Sequence, residues 1–310
     1  MSALDIHQIF NNVQVYKGKR YYKKRLKTNS RVVAFDLDET LGSFTDLEVL
    51  WSILQDYTNN HIPVNFNKLL DLYPEFLRYG ILPILEYLLE KKRTGECSHL
   101  YIYTNNKCFV GWVDLISNYF NYALKSKRPV FNQIISAFKI NSKRVEPSRT
   151  THSKTYSDFI KCTLLPKNTE LFFLDNTHYP DMKHTDVYYI QPKMYVHHLS
   201  TQDIIQRFVS SNLYLDLTKR GGGKAGEIGQ AAVTADTMHN YLLKSFIQNN
   251  AYTEGNTSLK DLETDIIVAQ KIMYHVRDFF HISNMKSQTK RKRVRIGHTT
   301  RRNKQNNEPN

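Results

Sequence analysis

A short apolar run that ends in two aspartates constrains this chain more than any other feature. Residues 31–44 read RVVAFDLDETLGSF, so four apolar residues without alternation lead into the pattern D-x-D-x-T. Such a run is typical of a strand buried on both faces, as in a parallel sheet covered by helices. Asp36 and Asp38 would then follow the carboxyl end of the strand, where open α/β sheets bind their ligands. The stretch therefore predicts an α/β fold with a site at this edge.

The spacing of the two carboxylates suits phosphoryl transfer. Residues i and i+2 of an extended strand end point the same way, so Asp36 and Asp38 can converge on one bound group. One carboxylate can attack phosphorus and form an aspartyl-phosphate, while the other protonates the leaving oxygen and then activates water. Two anions that face a phosphate need a cation, and oxygen ligands favour Mg²⁺. The alternative is a strand followed by an Asp-rich turn or helix cap.

Two later apolar runs end in polar side chains that would suit the same site. Residues 100–103 lead into Thr104, Asn105 and Asn106, and residues 171–174 lead into Asp175 and Asn176. The hydroxyl and amides can donate to phosphoryl oxygens, and the oxygens of the second pair can bind a cation. A lysine ahead of the last run can pair with the phosphoryl group. Lys154 is the first candidate and Lys161 the second, and an ordinary surface position is the alternative for Lys154.

The chain between these motifs has mostly helical spacing. Apolar residues recur at helical intervals in 47–57 and 66–92, where Pro63, Pro74 and Pro83 break the pattern into pieces. We therefore predict a small helical insert at about 43–97, after the first catalytic strand. Further helices are predicted at 109–124 and 201–210, strand-like chain at 131–140 and 187–190, and a polar loop at 141–153.

The net charge of +14 lies at the two ends of the chain. Residues 1–30 carry seven Lys or Arg and one Asp, residues 286–310 carry nine and one Glu, and the body carries 27 of each sign. The first segment interleaves tyrosines with its basic residues, which suits nucleic acid. A solvated or partly strand-like lead-in to the sheet is the favoured interpretation. The last segment suits a nuclear-import signal, a nucleic-acid contact or a tail without a specific partner.

Length and composition divide the chain into four parts. A chain of 310 residues suits one or two domains. We predict a basic lead-in at 1–30, a main domain at 31–212, a helical extension at 213–285 and a disordered basic tail at 286–310. The stretch 220–224, RGGGK, lacks the ending of a P-loop and is interpreted as a hinge ahead of helices at 231–248 and 258–281.

Several compartments are disfavoured by the composition. No apolar run approaches the 18 or so residues of a membrane span, and the first residues hold no apolar secretory core. The three cysteines, Cys97, Cys108 and Cys162, show no ligand spacing, which favours a reducing environment. The sequence therefore predicts an intracellular protein, nuclear or cytoplasmic, that is neither secreted nor held in a membrane.

The order of these motifs resembles that of the haloacid dehalogenase superfamily. FDLDETL, IYTNN and LFFLDNT are similar to blocks of the phosphatases that act on the C-terminal domain of RNA polymerase II, also called NLI-interacting-factor-like phosphatases. The resemblance spans residues 31–191. It implies a doubly wound, three-layer α/β/α sandwich with a mostly parallel sheet. The insert of that subgroup is mainly β, whereas the insert here is predicted to be helical.

The resemblance also implies roles for the phosphoryl-handling residues. Asp36 would be the nucleophile and Asp38 the general acid and base. Thr40 would bind at the substrate site and orient the first loop. Thr104 and Asn105 would hold phosphoryl oxygens.

A second group of residues would balance charge in the same site. Lys154 would neutralise the phosphoaspartate, although it lies 21 residues before Asp175, a longer interval than is usual in the subgroup. Mg²⁺ would be bound by Asp36, by the backbone carbonyl of Asp38, by Asp175 and by Asn176 as a direct ligand.

The resemblance favours a Mg²⁺-dependent protein serine/threonine phosphatase. Its partner would be a phosphorylated protein, with the RNA polymerase II tail as the model substrate. The helical insert and basic termini favour an alternative, a phosphatase of nucleotides or nucleic-acid ends. A catalytically degenerate protein that binds nucleic acid or protein is the third hypothesis, and the intact set of site residues argues against it.

Overall fold

A six-stranded sheet organises the computed structural model, which describes residues 12–22, 30–58, 64–109, 111–222, 235–255 and 258–299. The strands are β1 (Val13–Lys17), β2 (Arg31–Phe35), β3 (His99–Tyr103), β4 (Gln133–Ile135), β7 (Glu170–Leu174) and β8 (Val187–Pro192), and β5 (Lys139–Ile140) with β6 (Lys143–Arg144) forms a separate hairpin. The order across the sheet is β1-β8-β7-β2-β3-β4, with only the β1–β8 pair antiparallel. The predicted α/β class with a mostly parallel sheet is confirmed.

The central strand β2 is buried on both faces, as its uninterrupted apolar run predicts. Val33 and Phe35 belong to one buried cluster, and Val32 and Ala34 belong to another. The chain leaves β2 toward β3 and β4, and then returns to the other side of β2 as β7 and β8. The strand order therefore reverses between β2 and β7, and such a switch point opens a crevice at the carboxyl edge of the sheet.

Ten helices are described in these parts of the chain. They are α1 (Lys19–Tyr22), α2 (Thr45–Tyr57), α3 (Phe66–Asp71), α4 (Ile81–Arg93), α5 (Trp112–Ala123), α6 (Tyr156–Thr163), α7 (Thr201–Val209), α8 (Asn212–Gly222), α9 (Ala235–Gln248) and α10 (Leu259–Thr299). The predicted helical insert is borne out by α2, α3 and α4. Pro83 was expected to break the helical pattern, but it lies within α4. It is in the first turn of that helix, where its missing N–H needs no partner. Among the described helices, none is both long and apolar enough to cross a membrane.

The two faces of the sheet are covered unequally. On one face, α2, α4, α5 and the later helices bury their apolar sides in a large cluster with Phe35 and Leu174. On the other face, Tyr156 and Phe159 of α6 pack in a smaller cluster with Leu171 and Phe173. Helical residues therefore pack against both faces, which is compatible with the predicted three-layer sandwich.

The C-terminal helices, predicted as a helical extension, pack on the sheet. Met238 and Phe246 of α9, and Ile272 and Phe279 of α10, belong to the same buried cluster as Phe35 of the central strand. Residues 213–285 are helical where described, but they complete the helical layer over the sheet. The predicted hinge lies partly in α8, and residues 223–234 lie outside the described residues.

The predicted disordered tail also differs in part. The backbone of α10 continues through residue 299, and residues 300–310 lie outside the described residues. Met, Lys, Arg and Gln dominate residues 285–293 and have high helix propensity, which favours the extension of an existing helix.

The basic lead-in is partly a strand, as the favoured interpretation predicts. Strand β1 pairs with β8 at the edge of the sheet. Lys17 forms an ion pair with Asp278 at 2.8 Å, and Arg20 lies 2.5 Å from Asp186. These two cations are thus engaged within the protein, while residues 1–11 and 23–29 lie outside the described chain.

Candidate active site

The predicted site residues gather at the carboxyl edge of three adjacent strands. Phe35, the last residue of β2, pairs with Leu174 of β7 and with Ile102 of β3. Asp36 and Asp175 therefore leave the sheet side by side, and Thr104 follows at the end of β3. The register alone brings these chain segments to one place.

A tight turn presents the D-x-D-x-T side chains. Leu37 and Leu41 are buried and close the turn by a 2.8 Å hydrogen bond from the Leu41 N–H to the Leu37 carbonyl. Glu39, between them, adopts a left-handed φ of 51°. The guanidinium of Arg78 donates to the carbonyls of Glu39 and Thr40, the latter at 2.6 Å. Arg78 is nearly fully buried, so it holds the turn from behind.

Lys154 lies between two carboxylates. Its Nζ donates to Asp36 Oδ1 at 2.5 Å and to Asp175 Oδ2 at 2.6 Å, and its side chain is 1% exposed. Burial opposes the charge on this lysine, but the carboxylates of Asp175 and Asp36 outweigh burial and raise the pKa of Lys154. Lys154 therefore stays an ammonium ion, and two of its three protons are used.

The start of α6 explains why Lys154 reaches the site and Lys161 does not. The Thr155 hydroxyl caps this helix by accepting from the Asp158 N–H at 3.0 Å, so Lys154 is the residue just outside the helix. Lys161 is 53% exposed and lies 3.5 Å from Asp158. The structure thus brings only the first of the two predicted lysines to the carboxylates.

Polar atoms of two residues, Asp36 and Asn176, surround the Thr40 hydroxyl. Thr40 donates to Asn176 Oδ1 at 2.9 Å and accepts from the Asn176 N–H at 3.1 Å, and Asp36 Oδ2 lies 3.4 Å from the same hydroxyl. Asp36 Oδ2 and Asn176 Oδ1 are therefore near each other and are hard donors that suit Mg²⁺. Asp175 is less suited to be a metal ligand, because its oxygens already accept hydrogen bonds from Lys154 and from the Thr177 N–H.

The site has few acidic side chains that could bind a metal ion. Among the described residues, no group of three or more His, Cys, Asp or Glu side chains is arranged to hold a metal ion. The donors that would suit Mg²⁺ are mixed, with one carboxylate oxygen of Asp36 and one amide oxygen of Asn176. Such a set relies on substrate phosphate and water to complete its coordination, as is usual for Mg²⁺.

Asp38 is held by an amide from the next strand end. Asn106 Nδ2 donates to Asp38 Oδ2 at 2.9 Å. Burial raises the pKa of Asp38 to about 6; the hydrogen bond from Asn106 opposes this shift and the charge of Asp36 adds to it. Asp38 can therefore hold or release a proton near neutral pH, as a general acid and base must. Asn106 was singled out only as one of several strand-end amides.

The Thr104 hydroxyl is oriented with its proton free to donate. Its oxygen accepts from the Asn106 N–H at 2.9 Å, and Thr104 is 1% exposed. Asn105, expected to hold phosphoryl oxygens, instead has its amide engaged: its Oδ1 accepts from Arg149 at 2.8 Å and its Nδ2 donates to Tyr179 at 3.0 Å. The Asn105 side chain thus braces the site wall in this structure.

Arg149 is the residue that sequence reasoning missed. It is fully buried, and its guanidinium donates to the backbone carbonyls of four residues, namely Thr104, Ser136, His152 and Ser153. It therefore ties the end of β3 to the end of β4 and to the segment that carries Lys154. Its position in a polar loop gave no signal of burial, because an arginine there is usually solvated.

Comparisons with known proteins do not identify a family for this chain. No protein-family model matches the chain, and neither the curated proteins nor the solved structures contain a match. Function is therefore inferred from the residues of the site. Asp36, Thr40, Lys154, Asp175 and Asn176 form one hydrogen-bonded group. Asp38 and Thr104 are linked to each other through Asn106.

Proposed function

We propose that this protein is a Mg²⁺-dependent phosphatase that forms an aspartyl-phosphate at Asp36. The observation that carries the proposal is the burial of Lys154 between Asp36 and Asp175. A buried lysine between two carboxylates is costly to assemble and adds little net stability compared with apolar packing. Such a group is expected where a reaction transfers negative charge, since perturbed ionisable groups concentrate at functional sites.

In the first step, an oxygen of Asp36 attacks the phosphorus atom of the substrate. The bond between phosphorus and the substrate oxygen breaks, and Asp38 gives its proton to that leaving oxygen. Lys154 stays charged and donates to the phosphoryl group with its third proton. The Thr104 hydroxyl, which is oriented by Asn106, donates to another phosphoryl oxygen.

In the second step, water attacks the phosphorus atom of the aspartyl-phosphate. Asp38 accepts a proton from that water, the bond from Asp36 to phosphorus breaks, and phosphate leaves. Both carboxylates return to their starting states. Asp36, Asn176 and the backbone carbonyl of Asp38, supported by Asp175, would hold Mg²⁺, which would supply positive charge to the phosphoryl group.

The favoured substrate is a phosphoserine or phosphothreonine residue of a protein. The D-L-D-E-T-L and L-D-N-T blocks support this choice by their resemblance to polymerase-tail phosphatases. The depth of the site also supports it, because Asp36 is only 8% exposed and Thr104 1%. A phosphoryl group on a slender side chain reaches such a position more easily than one on a bulky ring system.

The test is a phosphatase screen of the purified chain. Phosphoserine peptides, nucleotides, phosphorylated oligonucleotides and an aryl phosphate are each incubated with Mg²⁺ or with EDTA. We expect hydrolysis of the phosphoserine peptides. EDTA and Asp36→Asn should each abolish this hydrolysis. Asp56→Asn, on the exposed surface of α2, is the matched control and should retain activity.

Two outcomes count against the proposal. Turnover of the aryl phosphate without turnover of any phosphopeptide would reject the substrate class. Hydrolysis that survives Asp36→Asn in full would reject the aspartyl-phosphate mechanism.

A further inference from the structure

A basic hairpin stands beside the candidate site. Its strands β5 and β6 carry Lys139, Lys143 and Arg144, and all three side chains are exposed. Among the described residues, none of the three is in an ion pair with a carboxylate. An exposed group of cations without counter-charges creates a positive potential that attracts anions.

The register of the sheet fixes where this hairpin lies. Tyr103 of β3 pairs with Ile135 of β4, and the Thr104 N–H donates to the Ile135 carbonyl at 3.0 Å. The chain therefore enters the hairpin at the same edge of the sheet at which Thr104 faces the site. Arg149 donates to Ser136, just ahead of the hairpin, and to Thr104. One buried guanidinium thus joins the base of the hairpin to the phosphoryl-binding wall.

Two of the hairpin cations are held in place by an aromatic ring. Lys139 Nζ lies 5.0 Å from the centre of the Phe138 ring, and the Arg144 guanidinium lies 5.1 Å from it. The Arg144 guanidinium also donates to the Arg149 carbonyl at 2.5 Å. His152 packs against Phe138 from one edge, with the ring centres 5.3 Å apart. These contacts restrain the cations, which lowers the entropy lost when they bind an anion.

The side of the D-x-D-x-T turn that lies away from the basic hairpin carries mostly negative charge. A cleft of about 670 Å³ lies there, and five carboxylates, one lysine and two histidines are among its lining residues. Glu39, next to Asp38, is one of the carboxylates. A chain with a phosphate on every unit would meet repulsion where it crosses this cleft. A peptide can carry an anion on one side of its phosphorylated residue and a neutral or basic residue on the other.

We propose that the basic hairpin binds a second anionic side chain of the phosphopeptide substrate, most strongly a second phosphate. This inference rests on the proposed phosphatase function and adds a substrate preference to it. The second anion lies on the side of the scissile phosphate that faces β4. The carboxylate-lined cleft excludes it from the other side.

The test compares singly and doubly phosphorylated peptides of one sequence. The second phosphoserine is moved through the residues on each side of the scissile one, and a matching set carries Glu at those positions. We expect a roughly three- to tenfold higher kcat/KM with the second phosphate on one side only, as for two exposed ion pairs. A smaller gain is expected with Glu. Added salt should reduce both gains by screening.

Two charge-matched variants locate the effect. Lys139→Gln with Lys143→Gln should remove most of the gain and leave turnover of the singly phosphorylated peptide unchanged. Lys125→Gln with Lys127→Gln removes the same charge from an exposed loop ahead of β4, at the opposite edge of the sheet, and should keep the gain. Arg144 is left in place because its contacts support the hairpin.

The outcomes separate this inference from the proposed function. Absence of turnover on the singly phosphorylated peptide defeats the proposed function. Normal turnover with an equal gain in both variants, or with no gain from a second phosphate, overturns the role of the hairpin alone. A third outcome is that Lys139 and Lys143 raise kcat/KM for the terminal phosphate of an oligonucleotide but not for doubly phosphorylated peptides. That outcome assigns the hairpin to nucleic acid and overturns the peptide proposal.

Discussion

The two ends of strand β7 carry two charge clusters with the same pattern of charges. At the amino end, Arg20 lies 3.5 Å from Glu170 and 2.5 Å from Asp186. At the carboxyl end, Lys154 lies 2.5 Å from Asp36 and 2.6 Å from Asp175. Each cluster places one cation between two carboxylates. The pattern of charges alone therefore does not distinguish a structural ion pair from a reactive one.

The difference lies in the cation and in its neighbours. Arg20 has a rigid planar guanidinium, is 19% exposed and also donates to the Asn168 carbonyl at 3.1 Å. Its fixed donors suit fixed acceptors. Lys154 is 1% exposed and is a compact ammonium with a third proton, near the aromatic ring of Tyr179. The carboxyl-end cluster can therefore admit another anion, whereas the amino-end cluster holds the chain together.

The largest difference in kcat between variants at the two ends of β7 is expected when one carboxylic acid at each end is replaced by its amide. Asp38→Asn should lower kcat by about 10²- to 10⁴-fold, the usual contribution of a general acid and base. Asp186→Asn, in the amino-end cluster, should leave kcat within a factor of about two and lower the free energy of unfolding by about 1–3 kcal/mol. Steady-state kinetics and chemical denaturation of the two variants measure the contrast. Equal losses of kcat would remove the distinction between the clusters.

The pH dependence sharpens the same contrast. Because burial raises the pKa of Asp38 to about 6, the acid form is lost as pH rises through 6, and the rate of the first step should fall with it. The folded protein binds this proton more tightly than the unfolded chain. The free energy of unfolding should therefore fall as the pH rises from about 4 to about 6. Asp38→Asn should abolish the change in rate and reduce the change in stability, to which Asp175, whose pKa burial also raises, still contributes. A pH–rate profile and melting temperatures at pH 4 and pH 8 check them, and an unchanged profile in the variant would contradict the assignment.

Removal of the two cations is expected to separate the clusters by a somewhat smaller factor. Lys154→Met should lower kcat by about 10²- to 10³-fold, because a preorganised charge at the phosphoryl group is lost. Arg20→Met should leave kcat nearly unchanged. Both variants remove the cation from between two carboxylates, and Lys154→Met, at the more buried position, should lower the free energy of unfolding by about 3–5 kcal/mol. Melting temperatures establish that each variant is folded at the assay temperature before rates are compared.

Loss of Arg149 is expected to have the smallest effect of this group on the chemical step. Arg149 acts by positioning Thr104 and Asn105, so Arg149→Met should lower kcat by roughly tenfold through misplacement of those donors. The pH–rate profile should keep its inflection near 6, since Asp38 is held by Asn106 instead. A shifted inflection would show that Arg149 acts on the acid itself.

The sequence was most informative where structure is local. The run from Val32 to Phe35 predicted a strand buried on both faces, and the strand-end positions of Asp36, Thr104 and Asp175 followed from the same pattern. These features depend on short-range order and on the general placement of sites at the carboxyl edge of parallel strands. They could be read without knowing any tertiary contact.

Features set by tertiary contacts could not be read in this way. Arg149 and Asn106 are defined by partners that are distant in sequence or in another loop. The choice between Lys154 and Lys161 depended on where α6 begins. The amphipathic pattern of α9 predicted a helix but did not show that its apolar face covers the sheet, because periodicity identifies a buried face and not its partner.

The most direct test of the central claim is to trap the phosphorylated enzyme. Wild-type protein is mixed with substrate and Mg²⁺, quenched in acid and treated with borohydride, which reduces an aspartyl-phosphate to homoserine. Peptide mass spectrometry should then find homoserine at position 36 and aspartate at positions 38 and 175. Homoserine at either of those other positions, or none at 36 in a protein that is turning over substrate, would contradict the account.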